Sequence, residues 1–162
     1  MKALIAGAGI AGLAAAFELG RKGWDVVLVE KANGLRDSGY MIDFFGPGYD
    51  AAEENGLIGA LAERAYKIEG VELVNVDGRR QAYTRYETFR ASLDGRLFSL
   101  MRGDIERVFH NALPTTVDLR LGTHIETIHE HVATVDATLS DGERTTADLL
   151  IGADGGEGNR LG

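Results

Sequence analysis

Residues 2–30 read KALIAGAGIAGLAAAFELGRKGWDVVLVE, and this stretch decides the fold. The short apolar run over residues 2–6 predicts a strand, and alanine and leucine at helical spacing from Ile10 to Lys22 predict a helix. The following run WDVVLV, which ends at Glu30, predicts a second, fully buried strand. Two parallel strands joined by a helix need a right-handed crossover and a sheet that is covered on both faces. The chain is therefore predicted to begin as an α/β domain.

The turn between the first strand and the helix matches the pattern G-x-G-x-x-G over residues 7–12. In this pattern Gly7 allows the tight turn, Gly9 lets the backbone approach a pyrophosphate, and Gly12 lets helix and strand pack closely. The start of the helix adds free N–H groups and about half a positive charge. This context predicts a Rossmann-like dinucleotide site.

Glu30 ends the second strand, where a carboxylate can accept hydrogen bonds from both hydroxyls of an adenosine ribose. The same negative charge disfavours a 2′-phosphate, so we do not expect NADP at this site. At this point the residues indicate an adenine dinucleotide and leave FAD and NAD both open.

Composition narrows the classes of function. The 162 residues carry 25 acidic and 17 basic side chains, a net charge of −8, so we expect no nucleic-acid partner. The absence of cysteine excludes disulfides, thiolate metal sites and cysteine nucleophiles. We expect no membrane partner and a cytoplasmic location, because no stretch reaches the ~18 uninterrupted apolar residues of a membrane span.

The rest of the chain predicts further elements around the parallel sheet. An irregular stretch over residues 31–49 precedes two short helices. Alternating residues and two Asp-Gly turns predict an antiparallel insertion at about residues 71–100. A helix at Asp104–Leu113 and a strand at Val117–Leu121 come next, and a three-stranded meander and a last strand at Leu149–Ile151 follow. The sequence thus predicts one domain over residues 1–155 and a glycine-rich tail over residues 156–162.

The histidines indicate no further chemistry. His129 and His131 alternate on one strand without an evident third ligand, so we expect no metal site. No histidine has a visible serine or aspartate partner for nucleophilic catalysis.

Three more features accompany the glycine motif and Glu30. Arg36 lies in the irregular stretch, Arg102 precedes the helix in LMRGDIERVFHNAL, and Asp154-Gly155 follows the last strand in LLIGADG. In this order the motifs resemble those of the group A flavoprotein monooxygenases, the aromatic-hydroxylase-like FAD-dependent oxidoreductases. The resemblance covers nearly the whole chain and implies FAD as the cofactor.

The resemblance also implies a role for each matching residue. Gly7, Gly9, Ala11 and Gly12 would hold the FAD diphosphate, Glu30 the adenosine ribose with Lys31 beside it, and Arg36 and Arg102 the diphosphate and flavin side. Asp154, followed by Gly155, would bind the ribityl chain, and the main chain near Thr123 to Ile125 would touch adenine. An arginine fork suits phosphate oxygens, and a carboxylate suits a polyol hydroxyl.

The chain departs from the family after Gly155, where Gly158 and Arg160-Leu161 replace the usual serine and Val-Arg pair. Family members run to more than twice this length, so we expect a truncated or engineered version of the FAD-binding part. In the full-length family NAD(P)H reduces FAD, and oxygen then hydroxylates a small aromatic substrate. No catalytic side chain is assigned, because the flavin carries that chemistry.

Two alternative functions remain open on the sequence. One is a minimal module that binds FAD or another dinucleotide without turnover. The other is a fragment of an NAD-binding dehydrogenase, for which Glu30 is equally suitable. An open edge of the parallel sheet further predicts partial homo-oligomerisation.

Overall fold

The computed structural model describes residues 1–35 and 39–155. The chain divides into two compact units: unit 1 comprises Met1–Asp37 and Glu106–Gly162, and unit 2 comprises Ser38–Ile105. The helices and strands in chain order are β1 (Lys2–Ala6), α1 (Ile10–Arg21), β2 (Asp25–Glu30), β3 (Met41–Phe44), α2 (Pro47–Glu54), α3 (Ile58–Ala62), β4 (Gly70–Val74), β5 (Arg80–Arg85), α4 (Tyr86–Ser92), β6 (Phe98–Met101), α5 (Arg102–Ala112), β7 (Val117–Leu121), β8 (Ile125–Glu130), β9 (Val135–Leu139), β10 (Arg144–Ala147) and β11 (Leu149–Gly152).

A four-stranded parallel sheet forms the centre of unit 1, with the strand order β11-β1-β2-β7. The register pairs Ala3 of β1 with Leu149 of β11 on one side and with Val26 of β2 on the other. Val26 in turn pairs with Val117 of β7. The predicted α/β fold with a β-α-β unit and a parallel sheet is confirmed.

Both faces of this sheet are covered, which explains why β1 and β2 are apolar throughout. On one face Ala3, Ile5 and Leu28 pack against Leu13 and Ala16 of α1. On the other face Leu4, Val27 and Val29 pack against the apolar side of a second sheet, which presents Ala137, Leu139 and Ala147. That second sheet is antiparallel with the strand order β10-β9-β8, so the predicted meander is confirmed.

Unit 2 contains two antiparallel strand pairs and short helices. The β4–β5 hairpin lies where the insertion was predicted, and its turn contains Gly78 at φ 76°. The strand β3 was not predicted, because residues 31–49 show no long periodic run. It forms by pairing Met41 with Met101 of β6, a partner distant in sequence.

The second Asp-Gly turn of the insertion has a different role from the predicted one. Asp94 and Gly95 both have positive φ, at 51° and 77°. The prediction that they join two paired strands was wrong, because Tyr86–Ser92 forms helix α4 and the turn ends that helix. The N–H of Gly95 donates to the carbonyl of Arg90, a bond typical of a helix C-terminus.

Candidate nucleotide-binding site

The turn after β1 depends on glycine because its backbone packs closely on neighbouring backbone. Gly7 has a φ of +100°, and its N–H donates to the carbonyl of Val29 at 2.7 Å. A Cβ at this position would lie 2.6 Å from the carbonyl oxygen of Ala153. No other residue fits there without moving the backbone that follows β11. The turn is therefore packed directly on the segment that contains Asp154.

Helix α1 begins at this turn without a side-chain hydrogen bond at its N-cap. Gly9 is the N-cap in an extended conformation, and its carbonyl accepts the first helical hydrogen bond, from Leu13 N–H at 2.9 Å. Within the described helix no side chain caps the N-terminus and no acidic residue lies in the first turn. Such an end is suited to an anion, since its N–H groups and dipole both favour negative charge.

The carboxylate of Glu30 closes the other side of the turn. Its Oε2 accepts a hydrogen bond from Ala8 N–H at 2.8 Å, and its Oε1 accepts one from Ala32 N–H at 2.9 Å. The residue is half-buried. A carboxylate has about four acceptor positions, so two remain for ribose hydroxyls. Lys31 follows it and is exposed.

The chain after β7 runs beside Glu30. The N–H of Thr123 donates to the Glu30 carbonyl at 2.9 Å, and the N–H of Gly122 donates to the Ala32 carbonyl at 2.9 Å. Ile125 is half-buried and packs against the core on the meander side of the parallel sheet. The segment predicted to touch adenine thus begins beside the main chain of Glu30, the residue predicted to bind ribose.

Asp154 lies at the same edge of the sheet. The N–H of Ala153 continues the β11–β1 pairing by donating to the Ala6 carbonyl at 2.7 Å. Asp154 itself is exposed, and Gly155 has a φ of +85°. The carboxyl ends of β1, β2 and β11 therefore bring together the glycine turn, Glu30 and Asp154, at the edge where open α/β sheets bind ligands.

Of the two predicted arginines, Arg102 belongs to the residues that the structure describes. Arg36 lies outside the described residues. Arg102 begins α5 within unit 2, where it is half-buried and its N–H donates to the Tyr40 carbonyl at 3.1 Å. Gly39 packs against it, since a Cβ on Gly39 would lie 3.2 Å from the Arg102 Cβ.

Sequence reasoning missed the partners of Glu30. Nothing in the residue types of Ala8 or Ala32 predicts that their N–H groups bind the carboxylate, because the interaction uses backbone atoms. The signal that could have indicated it is position: Ala8 lies inside the glycine turn, where a buried N–H needs an acceptor. Ala8 is only 4% exposed.

Unit 2 holds a polar cluster that was also not predicted. The Tyr86 hydroxyl donates to Asp43 Oδ1 at 2.6 Å, Ser99 Oγ donates to the same oxygen at 2.7 Å, and the two hydroxyls lie 2.5 Å apart. Ser99 and Tyr86 are buried. Burial raises the pKa of the Tyr86 phenol above its usual 10.0, and the hydrogen bond to Asp43 raises it further. The cluster ties β3, β6 and α4 together.

In the meander, the side chains of His131 and Asp136 lie within hydrogen-bond distance of each other. His131 Nε2 lies 3.0 Å from Asp136 Oδ2, and Thr146 donates to Asp136 Oδ1 at 2.7 Å. The bond from Thr146 and then the one from His131 lower the pKa of Asp136 below its usual 3.8. Across residues 1–35 and 39–155, no group of three or more histidine, aspartate or glutamate side chains is placed to hold a metal ion.

Comparison with known proteins decides between the dinucleotides. Residues 1–160 match the family model described as FAD binding domain. The chain belongs to this FAD-binding family. The FAD-dependent monooxygenase asL4 of Sarocladium schorii is 34% identical over 96% of the chain and 37% of its own length. The 3-hydroxybenzoate 6-hydroxylase of Klebsiella oxytoca is 30% identical over 97% of the chain and 41% of its own length.

A solved structure agrees with these relatives. The crystal structure of CtdE in complex with FAD and a substrate superposes with a TM-score of 0.80 at 25% identity, over 96% of the chain and 38% of CtdE. The chain thus spans about two fifths of the length of the proteins it matches. The predicted resemblance to FAD-dependent monooxygenases and the prediction of FAD as the cofactor are confirmed. The roles of the individual residues stay predictions.

The described residues fit the adenosine diphosphate part of FAD. The glycine turn leaves no room for a Cβ at Gly7 or Gly12, and the start of α1 offers uncapped amides to a diphosphate. Glu30 retains acceptor positions for a ribose.

In the part of the chain that the structure describes, no helix has the length and apolar character needed to cross a bilayer.

Proposed function

We propose that the carboxyl edge of the parallel sheet in unit 1 binds the adenosine diphosphate half of FAD. The amides of Gly9, Ala11 and Gly12 would receive the diphosphate, and Glu30 would accept the ribose hydroxyls with Lys31 beside them. The single observation that carries this proposal is the meeting of the glycine turn and the Glu30 carboxylate, through the 2.8 Å bond from Ala8 N–H. Family membership supports FAD over NAD.

The flavin half of the cofactor would be held by other residues. Asp154, at the exposed end of β11 with Gly155 after it, would accept hydrogen bonds from the ribityl hydroxyls. Arg102, and Arg36 in the segment outside the described residues, would serve the diphosphate and the flavin. The main chain from Thr123 to Ile125, which begins beside Glu30, would contact adenine.

The whole protein, on this proposal, is an NAD(P)H- and oxygen-dependent monooxygenase that hydroxylates a small aromatic molecule, and it works in the cytoplasm. The names of the relatives support this, since they include an FAD-dependent monooxygenase and a hydroxylase of 3-hydroxybenzoate. The isoalloxazine ring, when bound, supplies the redox chemistry. The role of the described residues is to bind and orient the adenosine diphosphate end.

Reconstitution with FAD tests the binding proposal. The purified chain is incubated with FAD, passed through a gel-filtration column and examined for flavin absorbance in the protein peak. We expect retained flavin in the parent chain and loss of it in Gly9→Val, whose branched side chain would occupy the space of the diphosphate. Circular dichroism confirms that the variant is folded. A colourless parent peak would refute the proposal, and preferential retention of NAD would indicate a dehydrogenase fragment instead.

Turnover is tested separately from binding. Oxidation of NADH or NADPH by the FAD-loaded chain is followed at 340 nm with and without simple phenols. Oxidation that depends on the phenol would assign the monooxygenase reaction to this chain and refute a binding module without turnover. Retained FAD with no oxidation would support the module.

We also propose partial self-association through the parallel sheet. β11 and β7 are the two outer strands of the described sheet, and an outer strand presents unpaired backbone groups to a further strand. Light scattering over a range of concentrations tests this, with an average mass above one chain expected at high concentration. A constant monomer mass would contradict it.

A further inference from the structure

Glu30 makes contacts that a ribose-binding carboxylate does not need. The expected role, acceptance of ribose hydroxyls, requires only that the carboxylate face the ligand. In the structure both oxygens already accept backbone N–H groups, Oε2 from Ala8 and Oε1 from Ala32. The first bond spans from the end of β2 to the inside of the glycine turn. The carboxylate thus connects the end of β2 to the turn that follows β1.

The bond to Ala8 acts on the part of the turn that faces the diphosphate. Ala8 precedes Gly9, the N-cap of α1, so the direction of the Ala8 N–H sets the peptide plane just before the first helical amides. On the other side, Gly7 N–H is fixed to the Val29 carbonyl at 2.7 Å. Two consecutive N–H groups of the turn are therefore anchored to the last two residues of β2.

Burial makes this anchor hard to replace. Ala8 is 4% exposed, so solvent reaches its amide poorly if the carboxylate is removed. A buried N–H without an acceptor is unfavourable, and the turn would relax to find one. Such a relaxation would turn the amides at the start of α1 away from the geometry that a diphosphate requires.

We infer that Glu30 is a positioning residue for the diphosphate as well as a ligand of the ribose. This inference rests on the proposed function, because it concerns the same nucleotide site. It makes a prediction that ribose binding alone does not make. Loss of the carboxylate should lower the affinity for a nucleotide that has no ribose hydroxyls. A simple charge effect has the opposite sign, since removing a negative group near a diphosphate strengthens its binding.

The test compares ADP with 2′,3′-dideoxy-ADP on the full chain by isothermal titration calorimetry. The variants are Glu30→Ala and Glu30→Gln. The glutamine amide oxygen can accept one backbone N–H, but the amide NH₂ group cannot accept the other. Asp25→Ala, which removes an exposed carboxylate from the opposite end of the same strand, is the matched control. We expect Glu30→Ala to lower the affinity for 2′,3′-dideoxy-ADP about three- to tenfold, which corresponds to the loss of one hydrogen bond. The affinity for ADP should fall by more.

Amide hydrogen exchange of the ligand-free chain provides a second measurement. We expect faster exchange at Ala8 in Glu30→Ala and unchanged exchange at Ala8 in Asp25→Ala, with circular dichroism equal in all variants. Unchanged or tighter binding of 2′,3′-dideoxy-ADP in the folded Glu30 variants would overturn the positioning role and leave the proposed function intact. Unchanged exchange at Ala8 would overturn it as well. A parent chain that binds neither nucleotide would overturn the proposed function and this inference together.

Discussion

Gly12 lies against the carbonyl of Gly7, and a Cβ at position 12 would be 1.8 Å from that oxygen. Residues 7 and 12 are the first and last glycines of the turn motif, so the contact fixes how closely α1 approaches the end of β1. We expect Gly12→Ala to lower the free energy of unfolding by about 3 kcal/mol, the upper part of the range for overpacking. Urea denaturation measures this.

Gly59→Ala is the control for that substitution. Gly59 is in helix α3, and a Cβ there would meet nothing within 4 Å. Replacing a helical glycine by alanine in open space stabilises by about 0.5–1 kcal/mol. Equal effects of the two substitutions would mean that the turn does not require glycine at position 12.

The substitution Asp154→Ala tests whether Asp154 binds the ribityl chain of FAD. If Asp154 binds the ribityl chain, removal of its carboxylate lowers the affinity for FAD about tenfold, as expected for the loss of a charge-assisted hydrogen bond. The affinity for ADP, which has no ribityl chain, should stay the same. Equal losses for both ligands would show that Asp154 supports the glycine turn on which it packs and does not bind the ribityl chain.

Tyr86→Phe tests the polar cluster of unit 2. The substitution removes the hydroxyl that bonds Asp43 and lies against Ser99, so we expect unfolding to become easier by about 1–2 kcal/mol. Because the pKa of Tyr86 is raised in the folded chain, its contribution is complete below pH 10.0 and is lost as pH rises above that value. The variant should therefore lose less stability than the parent at alkaline pH.

The control is Tyr83→Phe, which removes the hydroxyl of a tyrosine that is 47% exposed in the same unit. Its urea midpoint should match that of the parent at neutral pH. If the stability of Tyr86→Phe fell as much as that of the parent at alkaline pH, the role given to the Tyr86 hydroxyl would be contradicted.

Asp136→Asn tests the hydrogen bonds that the Asp136 carboxylate makes in the meander at acid pH. The pKa of Asp136 is lowered in the folded chain by Thr146 and by His131, so its contribution is present above the usual value of 3.8. It is lost as pH falls below that value through the folded pKa. The stability difference between parent and variant should thus be present above pH 3.8 and vanish at strongly acid pH. Urea midpoints between pH 7 and pH 2 measure it, with the exposed Glu126→Gln as control; a difference that persists unchanged at the acid end would contradict the role of the carboxylate.

Local patterns predicted the nucleotide-binding half of the fold. The β-α-β unit from Lys2 to Glu30 is contiguous, and its two buried strands and glycine turn are each specified by their own residues. The meander and the strand Val117–Leu121 were predictable for the same reason. The parallel pairing of the first two strands followed from the helix that connects them.

Pairings between distant residues were not predictable. β3 is a strand because Met41 and Phe44 pair with Met101 and Phe98, and no local run indicates this. The contacts of Glu30 also escaped prediction, because its partners are backbone amides that carry no mark in the sequence. The sequence predicted which residues form the site, whereas the backbone amides that hold Glu30 are visible only in the structure.

Competition of FAD with two partial ligands, ADP and FMN, tests the central claim most directly. FAD is first bound to the full chain and its fluorescence is recorded, and ADP or FMN is then titrated in. If the glycine turn and Glu30 hold the adenosine diphosphate end, ADP displaces FAD and FMN displaces it far more weakly. Displacement by FMN with no effect of ADP would contradict the account, because the cofactor would then be held by its flavin end and the carboxyl edge of the sheet would not be its binding site.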